Sequence, residues 1–170
     1  MGIMKDVKLY DIVSYAGYEW FVIEIDNDKV TLLAKNNDFG VSVFDKETND
    51  YRTSEIRHYL NTSVLNRLTE NGAEILETNI PEFGLKDKVW LLSEDEAEQL
   101  PPEVRNLGKW YWLRSPGNLN IDAASVNIVG SVNSRGRDVL NDSGSVRPAI
   151  TVKVNDLLKS LEPEPNMIKE

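Results

Sequence analysis

The side chains that usually carry covalent or acid–base chemistry are scarce in this chain of 170 residues, which has no Cys and one His, His58. That removes thiolate nucleophiles, disulfides and sulfur-ligated zinc, and any metal centre needing two or three imidazoles. One imidazole base remains. His58 falls in a helical segment without a second His or a neighbouring nucleophile, the ordinary setting of a packing or surface residue. Gly-x-Ser-x-Gly, Walker, dinucleotide-binding and His-Glu-x-x-His patterns do not occur. Carboxylate pairs are the other acid–base candidates, yet 28 acidic residues generate such pairs by chance. The run Glu94 to Glu98 reads as a first helical turn, where the macrodipole favours carboxylates, rather than as a metal site.

Recognition chemistry is better supplied. Asn118, Asn120, Asp122, Asn127, Asn133, Arg135, Arg137, Asp138, Asn141 and Asp142 are polar residues on a Gly-punctuated stretch, where donors and acceptors point outward at little cost to a core. They are equally the ordinary residues of tight turns, each able to satisfy its own backbone. Both readings stay open at this level. Trp110 and Trp112 supply apolar area, Gly130 and Gly136 admit positive φ, and Pro148 fixes the chain direction. Arg114 and Arg147 read as braces, because a guanidinium can bond several carbonyls in a loop-rich region.

The elements that must hold these residues follow from the pattern. Ile12 to Tyr15, Trp20 to Ile25 and Val30 to Ala34 are apolar runs separated by Gly17 and by Asp26-Asn27-Asp28, a hairpin signal. Alternation over Phe39, Val41 and Val43 predicts a short strand on a long loop. Ser54 caps a helix with Ile56, Tyr59 and Leu60 on one face, Asn61-Thr62-Ser63 offers a second cap, and Asn71-Gly72 is a stop. Lys88 to Leu92 reads as a strand, and Ser93 with Glu96 as a capping box. Trp110 to Arg114 is a strand, Ala124 to Ile128 alternates, and Val146 to Val154 closes the domain as a buried strand. The spacing predicts one domain over 1–157 and a flexible tail over 158–170.

Charge narrows the function class. Residues 1–100 hold 10 basic and 20 acidic side chains, and residues 101–170 hold 9 and 8. An acidic first part repels phosphate, so nucleic acid is a poor partner. The longest apolar runs, such as Trp20 to Ile23, are far short of the roughly 20 residues of a membrane helix. Met1 to Asp6 shows no export or lipidation signal, which makes the expected location cytoplasmic.

The segments Trp112-Leu113-Arg114-Ser115-Pro116-Gly117, Ala123 to Val126, Gly130-Ser131-Val132, Gly136, Val139 and Val146-Arg147-Pro148-Ala149-Ile150 resemble, in order and spacing, a bacterial and phage family of uncharacterised domains. Tyr18-Glu19-Trp20, Ser54 to Asn61 and Asp87 to Ser93 extend the likeness upstream. Through its ending the family is similar to the C-type-lectin-like superfamily, which includes formylglycine-generating enzymes and retroelement-diversified binding proteins. The resemblance implies an α+β fold: small twisted, mostly antiparallel sheets, two short helices, and a long loop-rich C-terminal half displaying the ligand surface. The enzymatic branches do not transfer, since their chemistry rests on paired cysteines or several His ligands. Of the two calcium-lectin triplets, Trp-Asn-Asp is missing. Glu164-Pro165-Asn166 lies in the tail, away from any metal loop.

The expectation is therefore a non-enzymatic binding module with no cofactor and no metal, using its C-terminal polar loops on a protein or glycan ligand. A second reading is a small acidic phage-derived inhibitor that steers onto a basic surface of a host protein, such as a defence nuclease, through Asp45, Glu47, Asp50 and Glu94 to Glu98. A hydrolase built on carboxylates or His58 ranks last.

Overall fold

Alternating apolar runs around positive-φ turns build the first sheet. In the computed structural model, which describes residues 7–161, β1 (Ile12–Tyr15), β2 (Tyr18–Asp26) and β3 (Lys29–Ala34) form an antiparallel meander. Its turns put Ala16, Gly17 and Asn27 at positive φ. The fourth strand, β9 (Ala149–Lys153), pairs antiparallel with β3, placing Val30 opposite Val152, so the sheet order is β1-β2-β3-β9. Val30 to Ala34 is buried throughout, as expected for a strand covered on both faces. A bulge interrupts the β2–β3 register between Val22 and Glu24.

The helical segment begins at the expected cap: Ser54 Oγ accepts from Arg57 N at 3.1 Å. However, α1 (Glu55–Tyr59) does not stop at Asn61. It widens into a π-helical turn over Leu60–Val64 and continues as α2 (Leu65–Glu70). The Asn61 carboxamide is not a second cap. It accepts from Val89 N at 3.1 Å and donates to Val89 O at 2.9 Å. That contact also explains why Lys88 to Leu92 is not a regular strand: a side chain takes Val89's main-chain partners, leaving only an isolated bridge from Trp90 to Ala149. Ile56, Leu60, Val64 and Leu68 enter one core with Trp20, Val22 and Leu32.

A short hairpin, β4 (Thr78–Ile80) and β5 (Leu85–Asp87), turns through Pro81–Phe83. The strand expected around Val41 is reduced to one bridge with Ser145. Capped by the Ser93–Glu96 box, α3 (Glu94–Glu98) precedes α4 (Pro102–Arg105). Then β6 (Tyr111–Pro116), β7 (Asp122–Val126) and β8 (Val132–Asp138) make a three-stranded antiparallel sheet. The closing strand starts at Ala149 rather than Val146, because Arg147 turns into the core and Pro148 has no N–H. It ends at Lys153. Val154 opens α5 (Val154–Ser160), its N–H bonded to Asp28 O at 2.7 Å.

The fold is mixed α+β, with several small antiparallel sheets and short helices; α4 adds to the expected ones, and the single helical turn expected beyond Asp156 is the longer α5. The tail expected from 158 overlaps α5, which runs through Ser160. Glu164-Pro165-Asn166 and Met1 to Asp6 lie outside the described residues. No helix among the described residues is long and apolar enough to cross a membrane.

Candidate functional site

The β6–β7–β8 sheet stands on aromatic side chains. Trp112 is fully buried and donates its indole N–H to Ser42 O at 2.8 Å. It meets Trp110 and Phe44 edge-on, with ring centroids 4.9 and 5.6 Å apart. Gly144 lies so close to both Trp rings that a methyl group there would overlap Trp112 Nε1. The Arg137 guanidinium lies over the Trp110 ring, 4.1 Å from its centroid, a cation–π contact that fixes β8 to this base. Gly130 (φ +90°) presents its carbonyl to Arg105 Nε at 2.7 Å, securing the β7–β8 turn.

Two arginines knit the base to the rest of the chain. Arg147, 1% exposed, donates Nε to Ala34 O, Nη2 to Val104 O, and Nη1 to Arg105 O and the Tyr111 hydroxyl, at 2.7 to 3.0 Å. No carboxylate is among these partners, and burial lowers its pKa from the usual guanidinium value. Arg114 is 4% exposed and reaches Leu91 O at 2.7 Å, Glu82 at 2.7 Å and Glu96 at 2.8 Å. Burial works against its charge, but the two carboxylates outweigh that and raise its pKa. Likewise burial pushes Glu82 up, while bonding to Arg114 brings it below the ordinary carboxyl value. Pro148 is buried and its carbonyl accepts from Ala34 N.

The ten polar residues separate by position. Asp122 lies opposite Asp138 on β7–β8 and the 139–142 turn adjoins Ile121, so Asn118, Asn120, Asp122, Asp138, Asn141 and Asp142 gather at one end of the sheet, while Arg135 sits on the mid-strand bulge of β8, its carbonyl accepting from Asn118 N. Asn127 is at the other end. The Asn133 side chain serves the β8 bulge, accepting from Gly136 N at 3.2 Å. Turn duty also occupies Asn127, which accepts from Val129 and Ser131 N–H; Asp138, from Leu140 N–H; and Asn141, from Ser143 N–H. Asn49 ties the 118–122 turn down from outside, donating to Leu119 O and Asp122 O at 3.1 and 2.9 Å.

The same end of the sheet carries apolar side chains that the polar pattern concealed. Leu119, Ile121 and Leu140 are 60%, 41% and 57% exposed, and Ile121 O accepts from Val139 N, which sets their two turns side by side. Their sequence signal was faint: isolated aliphatic residues between turn formers, outside any alternation. Elsewhere, His58 is exposed on α1 and its ring makes no hydrogen bond among the described residues. Asp45 accepts from the N–H groups of Glu47, Thr48 and Glu55, and Asp50 grips Arg52, which lowers its pKa. These two carboxylates therefore have local structural work. No group of three His, Asp or Glu side chains among the described residues is placed to hold a metal ion.

Residues 27–109 match the model of an uncharacterised family, described as a domain of unknown function, DUF6273. The matched stretch takes in β3 through α4 and ends before β6, so the Trp112 to Gly117 and Val146 to Ile150 segments lie beyond it. No curated protein and no solved structure matches the chain.

Proposed function

We propose that this chain is a non-catalytic recognition module on a C-type-lectin-like frame, and that the end of the β6–β7–β8 sheet docks a protein partner. The observation that carries the reading is the exposure of Leu119, Ile121 and Leu140 together, ringed by Asn118, Asn120, Asp138 and Asp142. Apolar anchors inside a polar rim are the anatomy of protein interfaces. A stiff base supports them: Trp110, Trp112, Arg137 and Asn49 hold the turns, so little ordering entropy is lost on docking. Glycans fit less well, since recognition there leans on free polar groups and several of these are spent on turns.

The test replaces Leu119 and Leu140 together by Asp and compares capture of partners from a host lysate, read by mass spectrometry. Both side chains are exposed, so the melting temperature should hold while one partner retained by the unaltered chain disappears. Retention of that partner by the double variant overturns the reading. So does steady turnover of a substrate that a single side-chain replacement abolishes.

A further inference from the structure

Hydrogen-bond parity fixes which way each residue of an edge strand faces. At the start of β1, Val22 N donates to Asp11 O at 2.9 Å, and two residues on Val13 is the register partner of Trp20. Bonded pairs alternate along an antiparallel ladder, so Val13 turns its main-chain groups toward β2, while Ile12 and Ser14 turn theirs outward. Those outward N–H and carbonyl groups have no partner among the described residues. Both side chains are exposed, Ile12 at 51%, on the sheet face shared with Phe21.

The other sheet edges are closed or guarded. Leu76 N bonds Thr151 O on the outer side of β9, and Trp90 exchanges two bonds with Ala149 there. On β6, Trp112 N and Arg114 N are taken by the carbonyls of Ser145 and Leu92. The strand β8 carries a bulge, a glycine and two arginines, devices that blunt an edge, and β4 and β5 have three residues each. Among the described edges β1 alone is open along its length with no charge, Pro, Gly or bulge in Ile12–Tyr15. Two molecules of net charge −9 can approach there without bringing charged side chains of the strand together.

The open edge is also self-complementary. Turned about a two-fold axis normal to the sheet at Val13, it sets Ile12 opposite Ser14 of the partner subunit, and Ser14 opposite Ile12 of the partner subunit. Each pair exchanges two main-chain bonds, so all the outward groups of Ile12 and Ser14 are satisfied at once. The two Ile12 side chains fall on one face as diagonal neighbours about 7–8 Å apart, within reach of each other. We infer that β1 is the docking edge for a second copy of this chain, an isologous contact that joins two four-stranded sheets into one. The edge lies outside the β6–β7–β8 sheet, so this dimer and the docking of another protein there are tested separately.

Sedimentation equilibrium of the full chain between about 10 µM and about 1 mM should show the mass rising from one copy toward two. Hydrogen exchange locates the contact: the Ile12 and Ser14 amides should slow about tenfold at the higher concentration, while the Val13 amide, already bonded to β2, stays as it was. Because Ile12 is exposed, Ile12→Lys and Ile12→Glu leave the fold intact. Each should be a monomer, with like charges facing across the axis, and the two should associate when mixed. A constant monomer mass, a species larger than a dimer, unchanged exchange at Ile12 and Ser14, or mixed variants that stay apart overturns the inference. So does a dimer that forms only after residues 1–6 are deleted, which makes the chain's own N-terminus the occupant of the edge.

Discussion

At the scale of single residues, the Arg147 side chain ties together three elements that are distant in sequence. Its four bonds run to the end of β3, to α4 and its exit, and to the first residue of β6. A planar fork can span four acceptors; a lysine ammonium reaches fewer of them from one point. Arg147→Lys is therefore expected to cost about 3 kcal/mol, through lost charge-assisted bonds and buried carbonyls left unpaired. Urea unfolding measures this as a lower midpoint with an unchanged slope. Arg135→Lys, on the exposed bulge, should stay within about 0.5 kcal/mol. Bracing by guanidinium was readable as a chemical preference at Arg114 and Arg147. Which carbonyls they serve was not, because Ala34 and Val104 are distant in sequence.

At the scale of elements, the β7–β8 hairpin depends on one backbone contact. Gly136 has φ +89°, and a Cβ there would lie 2.4 Å from Ala123 O. Gly136→Ala should thus force the bulge open at a cost of about 2 kcal/mol. Hydrogen exchange should show faster amides in 132–138 than in β2 and β3. The legible elements were those with a dense local signal: Gly17 and Asn27 punctuated the meander, Ser54 opened the helix, and Ser93 with Glu96 boxed α3. The hairpin of β4 and β5 escaped because strands of three residues are too short to show alternation. The π-helical turn escaped for a different reason. Asn61-Thr62-Ser63 has cap chemistry, and only contact with Val89 diverts Asn61 from it. At the candidate site the polar residues were visible by type, but their division between turn-holding and open display depended on how the turns lie.

At the scale of the whole molecule, burial of phenols sets an upper pH limit. Burial is the main cause that raises the pKa of Tyr51 and Tyr111, and Tyr51 Oη lies within reach of Leu91 N. The folded chain keeps these phenols protonated. Their stabilising contribution is complete below the unfolded value of about 10 and is lost as pH rises above it, since only the unfolded chain then releases the protons. Ultraviolet titration of the six tyrosines should accordingly show Tyr51 and Tyr111 ionising only together with loss of the near-ultraviolet circular dichroism signal. Ionisation of all six within an intact fold would contradict the packing.

The pairing of β3 with β9 gives this protein a calendar. During synthesis β3 leaves the ribosome more than a hundred residues before the strand that completes its edge, and in the interval Leu32 and Leu33 belong to an open, adhesive ribbon. The nascent chain must therefore be kept from its neighbours until β9 has been made and has paired with β3. By the same logic the stretch 27–109, cut out alone, would carry β3 with neither of its flanking strands.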